Sequence, residues 1–139
     1  MHLLNIELVN LEENSYHIFV EGTVNGKACR VLIDSGASKT VFDRVFLQSL
    51  EPAVLLTEND KLSSGLGTNT MKSETATLNH FNIGSKEIKN YETAVLDLTH
   101  VNQSYAKLGF GPVHVILGND ILIKCDAVID YGNKSLSLN

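Results

Sequence analysis

Short apolar segments that alternate with polar residues, most of them ended by Gly or Asn, extend over most of this chain. A period of two residues is the pattern of a β-strand with one buried face, and Gly and Asn are typical of the turns between strands. The chain has 139 residues, of which 43% are hydrophobic. That length suits one ordinary domain, with enough apolar side chains for a core without metal ions or disulfides. The sequence therefore predicts one mostly-β domain over residues 1–139.

Local signals predict where the strands and helices lie. The strongest is Asn25-Gly26, because both positions of a tight hairpin turn favour a positive φ. Asp43 is expected to cap a short helix that ends before Pro52. The predicted strands are residues 6–11, 16–23, 27–33, 40–42, 75–83, 87–96, 113–117, 127–130 and 135–138. Residues 119–123 are predicted as one or two helical turns, residues 59–72 as a flexible loop or hairpin tip, and residues 98–111 as a loop or one irregular helical turn.

The charge balance bears on the partners that the protein can have. The chain carries 16 acidic and 11 basic residues, for a net charge of −5. A nucleic-acid binder normally has a basic face that follows the phosphates, and association with anionic lipid also needs basic residues. The chain has no apolar run near the ~20 residues that span a bilayer, and its N-terminus lacks a basic segment and a cleavage site. We therefore expect a cytoplasmic protein that binds neither nucleic acid nor membrane.

The cysteines and histidines do not form a recognisable metal or disulfide pattern. Cys29 and Cys125 lie far apart in apolar segments, where lone thiols usually act as small core residues. We expect them to be reduced and buried, with one disulfide as the alternative. The histidines show no pair at i, i+4 and no accompanying Cys-x-x-Cys, so no metal site is predicted.

The strongest candidate for chemistry is the segment Val31-Leu32-Ile33-Asp34-Ser35-Gly36-Ala37. The apolar run before Asp34 predicts a strand buried on both faces, so the carboxylate lies at the mouth of that strand. Ser35 can hydrogen-bond locally, and Gly36 lets the backbone turn sharply beneath the carboxylate. Taken alone, the segment fits two interpretations equally well. Asp34 either caps the backbone of its own turn or is a catalytic group.

Two other segments complete a pattern. A second apolar run, Val115-Ile116-Leu117-Gly118, comes about eighty residues later and precedes the short helix. Between the two runs lies the polar segment that contains Gly65-Leu66-Gly67. This order resembles the retropepsin-like aspartic peptidases of the bacterial single-lobe type. In that family an Asp-Ser/Thr-Gly-Ala signature is followed by a mobile flap, and an apolar segment ending in Gly then passes beside the catalytic turn. The resemblance covers roughly residues 15–139.

The resemblance implies an all-β, acid-protease-like closed barrel with one or two short helices. It also implies an aspartic endopeptidase that acts on peptide or protein substrates without a cofactor. Because one chain supplies one such aspartate, the dyad would come from a homodimer in which Asp34 of each chain meets its counterpart. Ser35 and Gly36 would orient the carboxylates. The residues implied to contact the substrate are Ala37, Ser64, Gly65, Leu66 and Gly67.

Several features depart from the pattern or compete with it. Retroviral members usually have an Asp and an Arg that pair to brace the dimer, and Ser38 and Asn119 stand at those places here. The predicted flap has Leu66 as its one bulky residue and no aromatic side chain. Asp130 also follows apolar residues, but Tyr131 comes next and too few residues remain for a second lobe, so we interpret it as a turn residue. The alternative function is a catalytically silent peptide-binding or dimerisation module of the same fold.

Overall fold

The computed structural model describes residues 1–58 and 73–139, in which strands predominate. The strands are β1 (His2–Asn5), β2 (Glu7–Glu12), β3 (Ser15–Val24), β4 (Lys27–Ile33), β5 (Val41–Asp43), β6 (Thr57–Glu58), β7 (Glu74–Leu78), β8 (Phe81–Ile83), β9 (Lys86–Ile88), β10 (Tyr91–Leu96), β11 (Val115–Leu117), β12 (Val128–Asp130) and β13 (Ser135–Leu138). The helices are α1 (Arg44–Ser49), α2 (Thr99–Lys107) and α3 (Asn119–Lys124). The mostly-β prediction is confirmed.

The strands form a large sheet and a small one. The large sheet has the order β6-β7-β10-β5-β11-β4-β3-β8-β9, and β2 also pairs with β3. Its two end strands do not pair with each other within the described residues, so the sheet is not closed there. The small sheet has the order β1-β13-β12. Near the middle of the large sheet, β11 runs parallel to β4 and antiparallel to β5. This arrangement brings the ends of β4 and β11 to the same edge.

The elements with strong local signals form as predicted. Asn25 and Gly26 both have a positive φ and join β3 to β4. Asp43 caps α1 by accepting a hydrogen bond from the amide of Val45, and its carboxylate also accepts one from the amide of Leu98 at 3.0 Å. The predicted closing hairpin is present as β12 and β13. In each case the residues that specify the element are neighbours in the sequence.

Three predictions are corrected by the structure. The strand predicted to begin at residue 6 is β2, which begins at Glu7. It is preceded by a strand that was not predicted, β1, which pairs with β13. The two long strands predicted over 75–83 and 87–96 are each divided in two, because the chain turns at 79–80 and again near Asn90, which has a positive φ. β7 therefore pairs with β10, whereas β8 leaves that ladder to pair with β3.

The third correction concerns residues 98–111, where the structure has the nine-residue helix α2 in place of a loop or one helical turn. Only one side chain of α2, Tyr105, is buried, so the helix has no strong apolar periodicity. Tyr105 packs with Val9, Phe19 and Val113 in a small cluster apart from the main core. The side-chain amide of Asn102 bonds both main-chain groups of Val113: its nitrogen donates to the carbonyl, and its oxygen accepts from the N–H. Contacts with distant strands therefore stabilise a helix that its own sequence does not predict.

The main core lies between the strands and the two short helices that flank them. Phe42 and Phe81 are fully buried and meet edge to face, with ring centroids 4.9 Å apart. Val31 of β4 and Leu117 of β11, which precede the candidate site on their strands, are also fully buried. The edge of the sheet where β4 and β11 end is thereby anchored in closely packed apolar side chains.

We expect Asn102→Ala to destabilise the fold by about 1–3 kcal/mol, because it leaves the buried amide and carbonyl of Val113 without partners. The side chain of Asn102 accepts from that amide at 2.7 Å and donates to that carbonyl at 3.1 Å. Urea unfolding measures the change. The control is Gln103→Ala, at the exposed neighbouring position on α2, which should change stability by less than about 0.5 kcal/mol. Equal losses in the two variants would contradict the assignment.

Candidate active site

Asp34 is the first residue after β4 and lies at the edge where β4 and β11 end together. Its amide donates to the carbonyl of Leu117 at 3.0 Å, which extends the parallel pairing of the two strands by one bond. The side chain is half-buried, whereas Ser35 and Gly36 are exposed. The carboxylate is therefore fixed by its backbone to the core of the sheet and remains accessible from outside.

The residues after Asp34 form a tight turn around its carboxylate. The amide of Gly36 donates to Oδ1 of Asp34 at 2.9 Å, and the amide of Ala37 donates to the Asp34 carbonyl at 3.1 Å. A Cβ at Gly36 would lie 3.1 Å from Oδ1, so a side chain there would crowd the carboxylate. The structure thus brings together four of the predicted site residues: Asp34, Ser35, Gly36 and Ala37. The other four, Ser64, Gly65, Leu66 and Gly67, lie outside the described residues.

Gly118 and Asn119 hold this turn from the other side. The amide of Asn119 donates to the carbonyl of Ala37 at 2.9 Å, and its side-chain amide donates to the carbonyl of Ser35 at 2.8 Å. Gly118 is buried, and a Cβ there would lie 2.6 Å from the carbonyl carbon of Lys39. The turn and the start of α3 therefore meet backbone to backbone, and only glycine fits between them.

A partly buried polar network lies behind the turn, and the sequence did not reveal it. Thr40 is fully buried, and its hydroxyl accepts from the amide of Gly118 at 3.0 Å and donates to Oδ1 of Asp120 at 2.8 Å. The amide of Thr40 donates to the same oxygen at 3.0 Å, and the hydroxyl of Tyr91 donates to Oδ2. The one sequence signal for this network is Asp120 in the first turn of α3, directly after Gly118-Asn119. Its partners are far away in sequence.

A groove of about 260 Å³ opens beside Asp34. Tyr16 and Tyr131 line it and are 51% and 67% exposed, so two aromatic rings stand in solvent next to the candidate carboxylate. His17 also lines the groove and is hydrogen-bonded through Nδ1 to the hydroxyl of Tyr105. Among the described residues that line this groove, Asp34 is the one carboxylate.

The charges around the groove act on Tyr105. Burial raises the pKa of Tyr105 above its usual value; the positive charge of Arg30 opposes this shift, and the negative charge of Asp34 adds to it. The guanidinium of Arg30 stacks on Phe19 at 3.8 Å and donates to the carbonyl of Gly111 at 2.9 Å. The Tyr105 hydroxyl is therefore held neutral, as a hydrogen-bond partner for His17.

Asp130, which competed with Asp34 in the sequence, has a local role in the structure. Its carboxylate accepts from the amide of Asn133 at 2.9 Å and from the Asn133 side chain at 2.8 Å. These bonds lower the pKa of Asp130 from its usual value. Asp130 thus caps the turn between β12 and β13, as interpreted from the sequence.

Other candidate groups have structural roles. Both cysteines are free and buried, and burial raises the pKa of Cys29 to about 12, so its thiol stays protonated. The prediction that both cysteines are buried is confirmed. Over residues 1–58 and 73–139, no group of three or more His, Cys, Asp or Glu side chains is arranged to hold a metal ion. No helix in that same part of the chain is long and apolar enough to cross a membrane.

Comparisons with known proteins agree with this fold. A family model described as aspartyl protease matches residues 20–121. The retroviral protease-like domain of Ddi1 from Leishmania major is 17% identical, with a TM-score of 0.56 over 87% of this chain and 86% of that one. A retropepsin-like aspartic protease from Rickettsia conorii is 20% identical, with a TM-score of 0.54 over 100% of this chain and 95% of that one. No curated protein sequence matches. The predicted all-β, retropepsin-like fold is confirmed.

We expect Gly118→Ala to destabilise the protein by about 1–3 kcal/mol, because its methyl group would overlap the main chain of Lys39 and force the turn away from α3. Thermal unfolding and urea titration measure the loss. Gly111→Ala is the matched control, since a Cβ at Gly111 would meet nothing closer than 3.8 Å. If the two variants were equally stable, the backbone contact at Gly118 would not be a tight one.

Proposed function

The chain belongs to an aspartyl protease family, and we propose that it is an aspartic endopeptidase that hydrolyses peptide bonds as a homodimer of this one domain. The observation that carries the proposal is the position of Asp34. Its carboxylate accepts a hydrogen bond from the amide of Gly36 at 2.9 Å and faces an open groove. Asn119 also holds this turn from the other side through the carbonyls of Ser35 and Ala37, which supports a role for Asp34 beyond capping its own turn.

The proposed chemistry needs two carboxylates that share one proton, because two negative charges about 3 Å apart cannot both persist. The ionised carboxylate takes a proton from a water molecule while the water oxygen bonds to the peptide carbonyl carbon. The protonated carboxylate gives its proton to the carbonyl oxygen. The tetrahedral intermediate then collapses: the carboxyl that took the proton of the water gives it to the nitrogen, the other carboxylate takes a proton from a hydroxyl of the intermediate, the carbonyl forms again and the C–N bond breaks.

In the proposed dimer the second carboxylate would come from a second copy of the chain. Asp34 is the one carboxylate among the described residues that line its groove, and Asp130 is occupied by its own turn. In a symmetric dimer the two Asp34 turns would meet at the two-fold axis. Ser35, exposed beside each carboxylate, would then link the two turns by hydrogen bonds.

The same turn limits how a substrate can bind. An extended peptide would lie along the turn as an added strand, with main-chain hydrogen bonds on both sides. Both main-chain groups of Ala37 are used within the protein, its amide by Asp34 and its carbonyl by Asn119. A peptide near Ala37 would therefore bond to the second lone pair of that carbonyl or to the exposed Ser38.

We expect the wild-type protein to cleave members of a peptide library between about pH 3.5 and 7.5, and Asp34→Asn to abolish cleavage, because an amide cannot take the proton of the attacking water. Mass spectrometry of the products gives both the rate and the preferred sequence. Asp130→Asn is the matched control, since Asp130 also follows an apolar strand but caps its own turn. This variant should cleave like the wild type.

The outcomes separate the candidate functions. Equal cleavage by Asp34→Asn would refute the role of Asp34, and loss in Asp130→Asn with retention in Asp34→Asn would move the site to β12. A wild-type protein that binds library peptides and cleaves none would favour the silent binding module.

We expect cleavage per chain to fall steeply on dilution, because activity would require association of two copies.

We also expect Tyr131→Ser to raise the dissociation constant of the dimer at least tenfold. Exposed tyrosines beside the meeting point of two chains are typical of residues that dominate binding energy. Sedimentation velocity over a concentration series measures the constant. Val45→Ser on α1 is the control, because Val45 is 55% exposed but does not line the groove.

A result with no dimer at any concentration would contradict the homodimer. A dimer that is unaffected by Tyr131→Ser, with a changed KM, would instead assign Tyr131 to substrate binding.

A further inference from the structure

Asp120, in the first turn of α3, is surrounded by hydrogen-bond donors from three segments of the chain. Oδ1 accepts from the amide and the hydroxyl of Thr40, at 3.0 Å and 2.8 Å, and from the amide of Ile121 at 2.9 Å. Oδ2 accepts from the hydroxyl of Tyr91, at the start of β10. An ionised carboxylate accepts hydrogen bonds only, so this set of donors fits the charged form. A protonated carboxyl would point its own proton at another donor.

This carboxylate is connected to both segments that hold the Asp34 turn. Thr40, which ends the turn, joins Asp120 to the amide of Gly118 through its hydroxyl. Asn119, the neighbour of Asp120 in the chain, bonds the carbonyls of Ser35 and Ala37. A change in how Asp120 is bonded therefore acts on Thr40 directly and on the Asp34 turn through Asn119.

We propose that Asp120 is a positioning residue for the Asp34 turn. Tyr91 and Thr40 hold Asp120 in its ionised form. Protonation of Asp120 loosens the turn and thereby sets an acid limit to cleavage. The proposal rests on the proposed function only for its effect on cleavage. The coupling between Asp120 and the turn can be measured without any substrate.

The direction of the pH dependence follows from the surroundings. Burial alone would raise the pKa of Asp120, but the hydrogen bonds from Tyr91, Thr40 and Ile121 outweigh it and lower the pKa below the usual 3.8. Across residues 1–58 and 73–139 no lysine, arginine or histidine pairs with this carboxylate, so neutral donors produce the shift. Burial and the bond to Asp120 raise the pKa of Tyr91, which stays neutral.

A group whose pKa is lowered on folding stabilises the fold above its unfolded pKa and ceases to do so as the pH falls through its folded pKa. The turn is therefore held at neutral pH and is released only in acid, below pH 3.8. Removal of the Tyr91 donor should move this release to higher pH, towards the range in which the dyad works.

The test is a pH titration by amide NMR from about pH 2 to 6, in an Asp34→Asn background in which position 34 has no carboxyl group. The amide of Thr40 reports the protonation of Asp120, and the amide of Ala37 reports the turn. We expect both amides to titrate with one midpoint. The midpoint should rise when Tyr91→Phe is added, and the step should vanish when Asp120→Asn is added. Both substitutions keep the size of the side chain, and the amide spectrum at neutral pH verifies the fold.

Asp97→Asn is the matched control, because Asp97 also accepts bonds from a threonine, Thr99, which lower its pKa, but lies outside the network. It should leave the Ala37 step unchanged. A Thr40 amide that titrates while the Ala37 amide does not would overturn the proposal, since Asp120 would then have only a local role. So would an Ala37 step that persists in Asp120→Asn.

With Asp34 restored, the acid limb of the plot of kcat against pH should move to higher pH in Tyr91→Phe. At the acid end of the plot, kcat should be lowered roughly tenfold while KM is almost unchanged. If no variant cleaves any peptide but the two amides titrate as described, the proposed function fails and the positioning role of Asp120 remains. If cleavage occurs with the same acid limit in all variants, the positioning role fails and the proposed function remains.

Discussion

The placement of β11 between β4 and β5 is the constraint on which the rest of the site depends. β11 is parallel to β4 and antiparallel to β5, so the ends of β4 and β11 reach the same edge of the sheet. Asp34 and Gly118 are the residues that follow those ends. The backbone of Gly118 comes so close to the residues after Asp34 that a Cβ at Gly118 would lie 2.6 Å from the carbonyl carbon of Lys39. A side chain at that point would separate the two segments and release the Asp34 turn.

A close backbone crossing in the interior leaves amides and carbonyls that ordinary strand pairing does not reach, and buried groups of this kind have to be bonded. Thr40 and Asp120 supply the missing partners. The hydroxyl of Thr40, on one side of the crossing, accepts from the amide of Gly118 and donates to Asp120, both on the other side. A carboxylate is suited to this position because it can accept several bonds at once. The partly buried polar network is therefore a consequence of the crossing.

The sequence predicts well those structural elements that are determined by residues adjacent in the chain. The turn at Asn25-Gly26, the cap at Asp43 and the Asp34 turn each depend on a few adjacent residues. β1 was not predicted from the sequence, because the strand that it pairs with, β13, is at the other end of the chain. The helix α2 was not predicted because Asn102 and Tyr105 stabilise it through distant strands. The same holds for the site: the Asp34 turn is local, whereas its supports, Tyr91 and Asp120, are connected to it only by the fold.

Asn119 stands where the retroviral pattern has an arginine, and its contacts suggest what the change does to an assembly. An arginine that pairs with an aspartate braces one chain against another. Asn119 instead bonds the carbonyls of Ser35 and Ala37 within its own chain, and Ser38 is exposed. The turn is thus held without help from a second copy. Association of the proposed kind would then rest on groups that are not needed to hold the turn, such as the exposed rings of Tyr16 and Tyr131.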